Sequence, residues 1–248
     1  MQKSNLQKII TQIKSYIVSQ IPEKQLISLY LVGRILTKDK SPESDIDLFG
    51  IVSDDFDLKQ ESQINNYFEK NPKFTGKKEC RFRALYLSDF EGRTKGKSTI
   101  IQDVKTIRLY LKLFRHSKFK LLSGKKINFS NFPLKDISDR DELKIDLDIL
   151  KSSIAYYKKH NYKEKQPYPN MYNTAKWVLH ITKLEACLAK KCKYQIYFYK
   201  LKNLFPRGHI FHDAMAVRNS NKPFSIKEKK EFIKKSEVYT NLIEKRFL

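Results

Sequence analysis

Glycine and proline are scarce in this chain, seven and eight among 248 residues. The turns of a many-stranded β architecture draw on both, so their shortage favours helices around a small sheet. Cysteine is scarcer still. Cys80, Cys187 and Cys192 form no CxxC pair and leave one thiol over. That excludes a disulfide framework and a cysteine-built zinc site, and it suits a reducing compartment. No apolar run is long enough to cross a bilayer, and the N-terminal segment lacks the apolar core of a secretory signal. A cytoplasmic protein is expected. Acidic side chains are also few, 27 against 50 Lys and Arg.

What remains is a chain able to fold. Forty per cent of it is hydrophobic, with 14 Tyr and 16 Phe to fill a core, so disorder is excluded. The net charge of +23 is spread throughout: residues 1–137 carry 26 basic and 15 acidic side chains, and residues 138–248 carry 24 and 12. A positive field of that extent draws polyanions and speeds their encounter. A general lysine bias produces the same composition with no nucleic-acid partner. Composition leaves both readings open.

One stretch carries chemistry. An apolar run from Ile27 to Val32 ends in Gly33, the pattern of a buried strand stopped where another group comes close to the backbone. Eleven residues then lead to Asp45-Ile46-Asp47-Leu48, which opens a second apolar run through Val52. Side chains alternate along a strand, so Asp45, Asp47 and Phe49 share one face while Ile46, Leu48 and Gly50 share the other. Two neighbouring carboxylates on an apolar strand repel each other and resist burial. A hard divalent cation relieves both problems, and Mg²⁺ commonly takes one or two carboxylates together with substrate phosphates.

The Gly-ended strand, the spacer and the Asp-x-Asp strand resemble the signature of the polymerase-beta-type nucleotidyltransferase superfamily, over roughly residues 25–90. The resemblance implies an α+β fold: a short mixed sheet with helices on one face, followed by an α-helical bundle. It implies that Asp45 and Asp47 hold two Mg²⁺ ions and that Gly33 and its successor meet the triphosphate of an NTP. Arg34 stands where the family has Ser or Gly, and a guanidinium also grips phosphate. Pro42-Glu43-Ser44 matches the polar lead-in, which makes Ser44 a nucleotide contact. The family places a third carboxylate on the strand that follows. Here that strand is Glu79-Cys80-Arg81-Phe82-Arg83-Ala84-Leu85-Tyr86-Leu87, and Glu79 is its acid, as metal ligand or general base. Arg81 and Arg83 on the same face would bind phosphate. The implied activity is Mg²⁺-dependent transfer of a nucleoside monophosphate from an NTP to an acceptor hydroxyl. The positive charge points to RNA or another anionic acceptor. Two alternatives are a small-molecule (antibiotic-like) acceptor and a degenerate nucleotide- or nucleic-acid-binding module.

The remaining chain is organised around that stretch. Residues 4–21 read as an amphipathic helix with a Ser4/Gln7 capping box and a stripe of Leu6, Ile9, Ile10, Ile13, Ile17 and Ile21. Asp54, Asp55 and Asp57 open a helix that Asn71-Pro72 ends. Gly92 and Gly96 are one residue too close for a P-loop, so 88–97 is expected to be a loop at the rim of the cleft. In the helix over 99–115, Ile100, Val104, Ile107, Leu111 and Phe114 are expected inward and Lys105, Arg108, Lys112 and Arg115 outward. Residues 1–130 form the expected catalytic domain and 138–248 a helical domain, with helices over 139–159, 171–190, 194–204 and from Ser225 to about 245. The last begins at a Ser225/Glu228 capping box. His209 and His212 lack the partners of a metal site. Tyr194 to Tyr199 reads as core packing or a base-stacking surface, and Arg218-Asn219 is placed to meet an acceptor.

Overall fold

The structure, a computed structural model, describes residues 3–36, 45–76, 78–93, 98, 103–164, 170–194, 198–220 and 222–248, and not the side chains of Lys3, Ser4 and Arg34. Among these residues no helix is long and apolar enough to cross a membrane. The chain divides into two compact units, Met1–Ile137 and Ser138–Leu248.

The first unit is built on a four-stranded sheet in the order β3-β2-β1-β4. Its strands are β1 (Leu26–Val32), β2 (Ile46–Val52), β3 (Cys80–Tyr86) and β4 (Phe119–Gly124). β1 runs antiparallel to β2 and β4, while β2 and β3 are parallel. Strands β1 and β2 are apolar on both faces because both faces are covered. Leu29, Leu31, Ile46 and Leu48 pack with α1 (Lys3–Gln20) and α2 (Leu58–Lys70). Tyr30, Val32, Phe49 and Ile51 pack with Phe90 of the short α3 (Leu87–Phe90) and Ile107, Leu111 and Phe114 of α4 (Val104–His116).

The isoleucine stripe of α1 is buried as the sequence predicts. Helix α1 starts before Ser4, which lies within it. Asp57 caps α2, its Oδ1 accepting from Lys59 N at 2.9 Å. Asp103 caps α4 in the same way, accepting from Thr106 N at 2.7 Å. Helix α2 also completes the sheet edge. Phe82 N donates to Asn65 Oδ1 and Asn65 Nδ2 donates to Phe82 O, both at 2.8 Å, and Ala84 N donates to buried Glu61. The outer ladder of β3 is thereby paired with side chains.

Helix α4 departs from its expected faces. Val104 is exposed and Lys112 is buried. Arg115, expected outward, donates to the carbonyls of Phe129, Phe132 and Leu134 at 2.9 Å and to Asp136 at 2.7 Å. Arg108 donates to the carbonyls of Lys135 and Asp136. Both arginines serve carbonyls of a segment with no strand or helix partner for them, a need that helical periodicity does not register. Ile100 lies outside the described residues.

The second unit is a helical bundle of α5 (Asp139–Lys159), α6 (Met171–Leu188), the short α7 (Phe198–Leu201), α8 (Ile210–Asn219) and α9 (Ile226–Phe247). Its core is formed by residues such as Leu143, Leu150, Val178, Ile181, Phe211, Ile233 and Ile243. Both halves of the Ser225/Glu228 capping box are made. His209 is the cap of α8: its Nδ1 accepts from Phe211 N at 3.2 Å, and its ring stacks on Phe205. With Nδ1 accepting, the ring proton sits on Nε2, 3.4 Å from Glu185. Burial raises the Glu185 carboxyl, yet hydrogen bonds from His209 and Tyr239 hold it below its ordinary range. Tyr194 packs into the bundle, its hydroxyl on Glu142 at 2.8 Å and Lys183 over its ring; residues 195–197 lie outside the described residues.

Candidate active site

Gly33 closes β1 with φ +91°, a conformation that costs any residue with a Cβ. A 3₁₀ turn, Arg34–Leu36, follows. A Cβ added at Gly33 would lie 3.3 Å from Asp47 Oδ2, so the bare glycine is what keeps the carboxylate's flank open. Asp47 is opposite Val32 on one side and Arg81 on the other. It is half-buried, and its carboxylate makes no hydrogen bond or ion pair among the described residues. Its oxygens are not among the enclosed polar atoms that lack partners, so they are open to solvent and accessible to a ligand or metal.

Asp45 lies one step before β2 on the same face. Ile46 N donates to Glu79 O at 2.8 Å, which sets Asp45 beside Glu79. Glu79 itself precedes β3, is largely exposed and pairs with Arg81. Arg83 is opposite Phe49, on the face that bears Asp47, and its guanidinium makes no hydrogen bond or ion pair with any described residue. The structure thus brings Gly33, Asp45, Asp47, Glu79, Arg81 and Arg83 to one end of the sheet. Ser44, the side chain of Arg34 and residues 94–97 of the expected rim loop lie outside the described residues.

Sequence reasoning missed Tyr110. Its ring meets Phe49 edge-on, with centroids 5.5 Å apart. Burial raises its phenol; the charge of Arg83 opposes the rise and that of Asp47 adds to it. The signal was available: Tyr110 is three residues after Ile107 and four before Phe114, on the stripe that packs the sheet. Cys80 is held protonated, its thiol pushed well up by burial and by Asp47, and is no nucleophile.

A divalent cation fits this donor set only in part. Asp45 and the unpartnered Asp47 supply two hard oxygen donors, which suits Mg²⁺ when substrate phosphates complete the shell. Among the described residues no group of three or more His, Cys, Asp or Glu is arranged to hold a metal ion.

No protein-family model and no curated protein matches the chain. Among solved structures it is similar to the spectinomycin adenyltransferase AAD(9) from Enterococcus faecialis, crystallised with ATP and spectinomycin. The TM-score is 0.62 at 12% identity, over 96% of this chain and 99% of that one. The chain has the fold of that structure: a small mixed sheet with helices, continued by a helical C-terminal region.

Proposed function

We propose that this protein transfers a nucleoside monophosphate from an NTP to a hydroxyl group of a small molecule. The observation that carries the reading is the half-buried, unpartnered carboxylate of Asp47, aligned with Asp45 and flanked by the bare backbone of Gly33. Asp45 and Asp47 would hold Mg²⁺, which when bound supplies charge stabilisation to the triphosphate and acidifies the acceptor hydroxyl. Gly33 gives phosphate oxygens access to the backbone. Arg34, Ser44, Arg81 and Arg83 offer donors to the triphosphate. The acceptor oxygen attacks the α-phosphorus, the α–β bridge breaks and pyrophosphate leaves. Glu79 is the carboxylate proposed to take the hydroxyl proton or complete the metal site, for which Arg81 must release it.

A small acceptor is favoured over RNA because the likeness to the antibiotic-modifying enzyme extends across both units. ATP is accordingly the first nucleotide to test. The net charge of +23 argues against a polycationic acceptor and for a neutral or acidic one. A second reading, a nucleotide-binding module without turnover, has one observation in its favour: within β3 the Asp-bearing face shows Arg81 and Arg83 and no acid.

The test is transfer of label from α-³²P-ATP, with Mg²⁺, to a panel of hydroxylated small molecules and to RNA. Labelling of a small molecule that falls roughly a thousandfold in Asp47→Asn, several kcal/mol of lost transition-state stabilisation, is the expected result. ATP binding without labelling of any acceptor selects the second reading. Labelling of RNA alone overturns the small-molecule acceptor.

A further inference from the structure

In the helical unit a buried cation has no ion-pair partner among the described residues. Arg218, in the last turn of α8, is only 4% exposed. Its Nη1 donates to Tyr172 O at 3.1 Å, and the guanidinium lies 3.3 Å above the Tyr172 ring. Nε and Nη2 are enclosed, and neither has a hydrogen-bond partner. Among the described residues no carboxylate forms an ion pair with the guanidinium.

Guanidinium does not give up its proton at any physiological pH, so this charge cannot be discarded on burial. Enclosing an ion without a counter-charge is strongly unfavourable. The Tyr172 face and the negative end of α8 offset part of that. Tyr172, however, belongs to the first turn of α6, where helix ends carry partial positive charge. The local field therefore still asks for an anion.

The unpartnered atoms also specify its shape. Nε–H and Nη2–H point the same way along one edge of the guanidinium, the fork that receives two oxygens of a single phosphate or carboxylate. Nη1, on the other edge, is occupied in fixing the group to Tyr172 O. The fork is oriented and its donors are unused.

We propose that Arg218 and the first turn of α6 form an oxyanion site that takes a phosphate group, either inorganic phosphate or the phosphate of a nucleotide. The anion reaches the fork when the first turn of α6 or the last turn of α8 opens, since helix ends open at low cost. Phosphate then satisfies both donors and the charge. This site lies wholly within the second unit and does not depend on the nucleotidyl-transfer reading.

The test compares thermal unfolding of the full chain, wild type, Arg218→Met and Arg218→Lys, in chloride and in inorganic phosphate at equal ionic strength. In chloride, Arg218→Met should be at least as stable as wild type, because an unpaired buried charge has gone. In phosphate, wild type should gain roughly 2–4 °C, saturably, and Arg218→Met should gain less by that amount. Any gain the two share reports the overall charge. Arg218→Lys keeps the charge but not the fork and should lose most of the gain, which preserves the test if the Met variant does not fold. ATP in a parallel arm identifies the source: a gain with ATP that Arg218→Met and Arg218→Lys lose, with none in phosphate, assigns the site to a nucleotide, because ATP held at the Asp47 site stabilises all three chains alike. Equal gains in wild type and both variants, or no gain with either anion, overturn the proposal.

Discussion

Asp47 and Gly33 are adjacent parts of one device at the residue scale. Among the described residues the carboxylate has no partner: Val32 opposite it on β1 is apolar, Arg81 opposite it on β3 is paired with Glu79, and nothing projects from position 33. Gly33→Ala should therefore act twice. Alanine at φ +91° costs about 1–2 kcal/mol of stability, and its methyl forces Asp47 Oδ2 to yield from 3.3 Å. Urea denaturation should show the first effect, and ATP binding weakened by about tenfold, roughly 1.4 kcal/mol, the second. A destabilised variant that binds ATP normally would reduce Gly33 to a turn residue.

Among the elements, β3 depends most on one neighbour. Its inner edge is paired with β2, and its outer edge with two side chains of α2, Asn65 and Glu61. Asn65→Ala leaves the N–H and carbonyl of Phe82 without partners and should cost about 1–3 kcal/mol. The checking measurement is chemical denaturation, with hydrogen exchange at Phe82 N as the local reporter. Unchanged stability and protection would mean that water replaces Asn65 without loss. Because Arg81 and Arg83 are on this strand, loosening it should also weaken nucleotide binding.

For the whole molecule the dominant quantity is charge. An excess of 11 basic groups in residues 1–137 and 12 in residues 138–248 repels itself in the compact state. Salt screens that repulsion with a Debye length of about 10 Å at 0.1 M. Raising NaCl from about 20 to about 200 mM should therefore raise the unfolding temperature. A flat or falling response would show that local pairs such as Lys151–Glu244 and Lys235–Asp213 outweigh the general repulsion.

By itself the sequence determined what short-range rules decide. Apolar runs of strand length, a glycine at the first strand's end and Asp-x-Asp at the start of the next placed β1, β2 and the two carboxylates. The isoleucine stripe and the Ser225/Glu228 box placed α1 and the start of α9, since helical period and capping act within a few residues. Only the tertiary structure decided which side chains meet from distant positions. That Arg81 is opposite Asp47, that Arg115 holds the carbonyls of 129–134, and that Tyr110 reaches the Asp face depend on sheet register and helix placement. His209, which the sequence marks only as a packing or surface residue, became a helix cap. Arg218 became a buried cation because Tyr172, 46 residues earlier, folds against it. Such encounters are fixed by packing across the fold, and no local pattern encodes them.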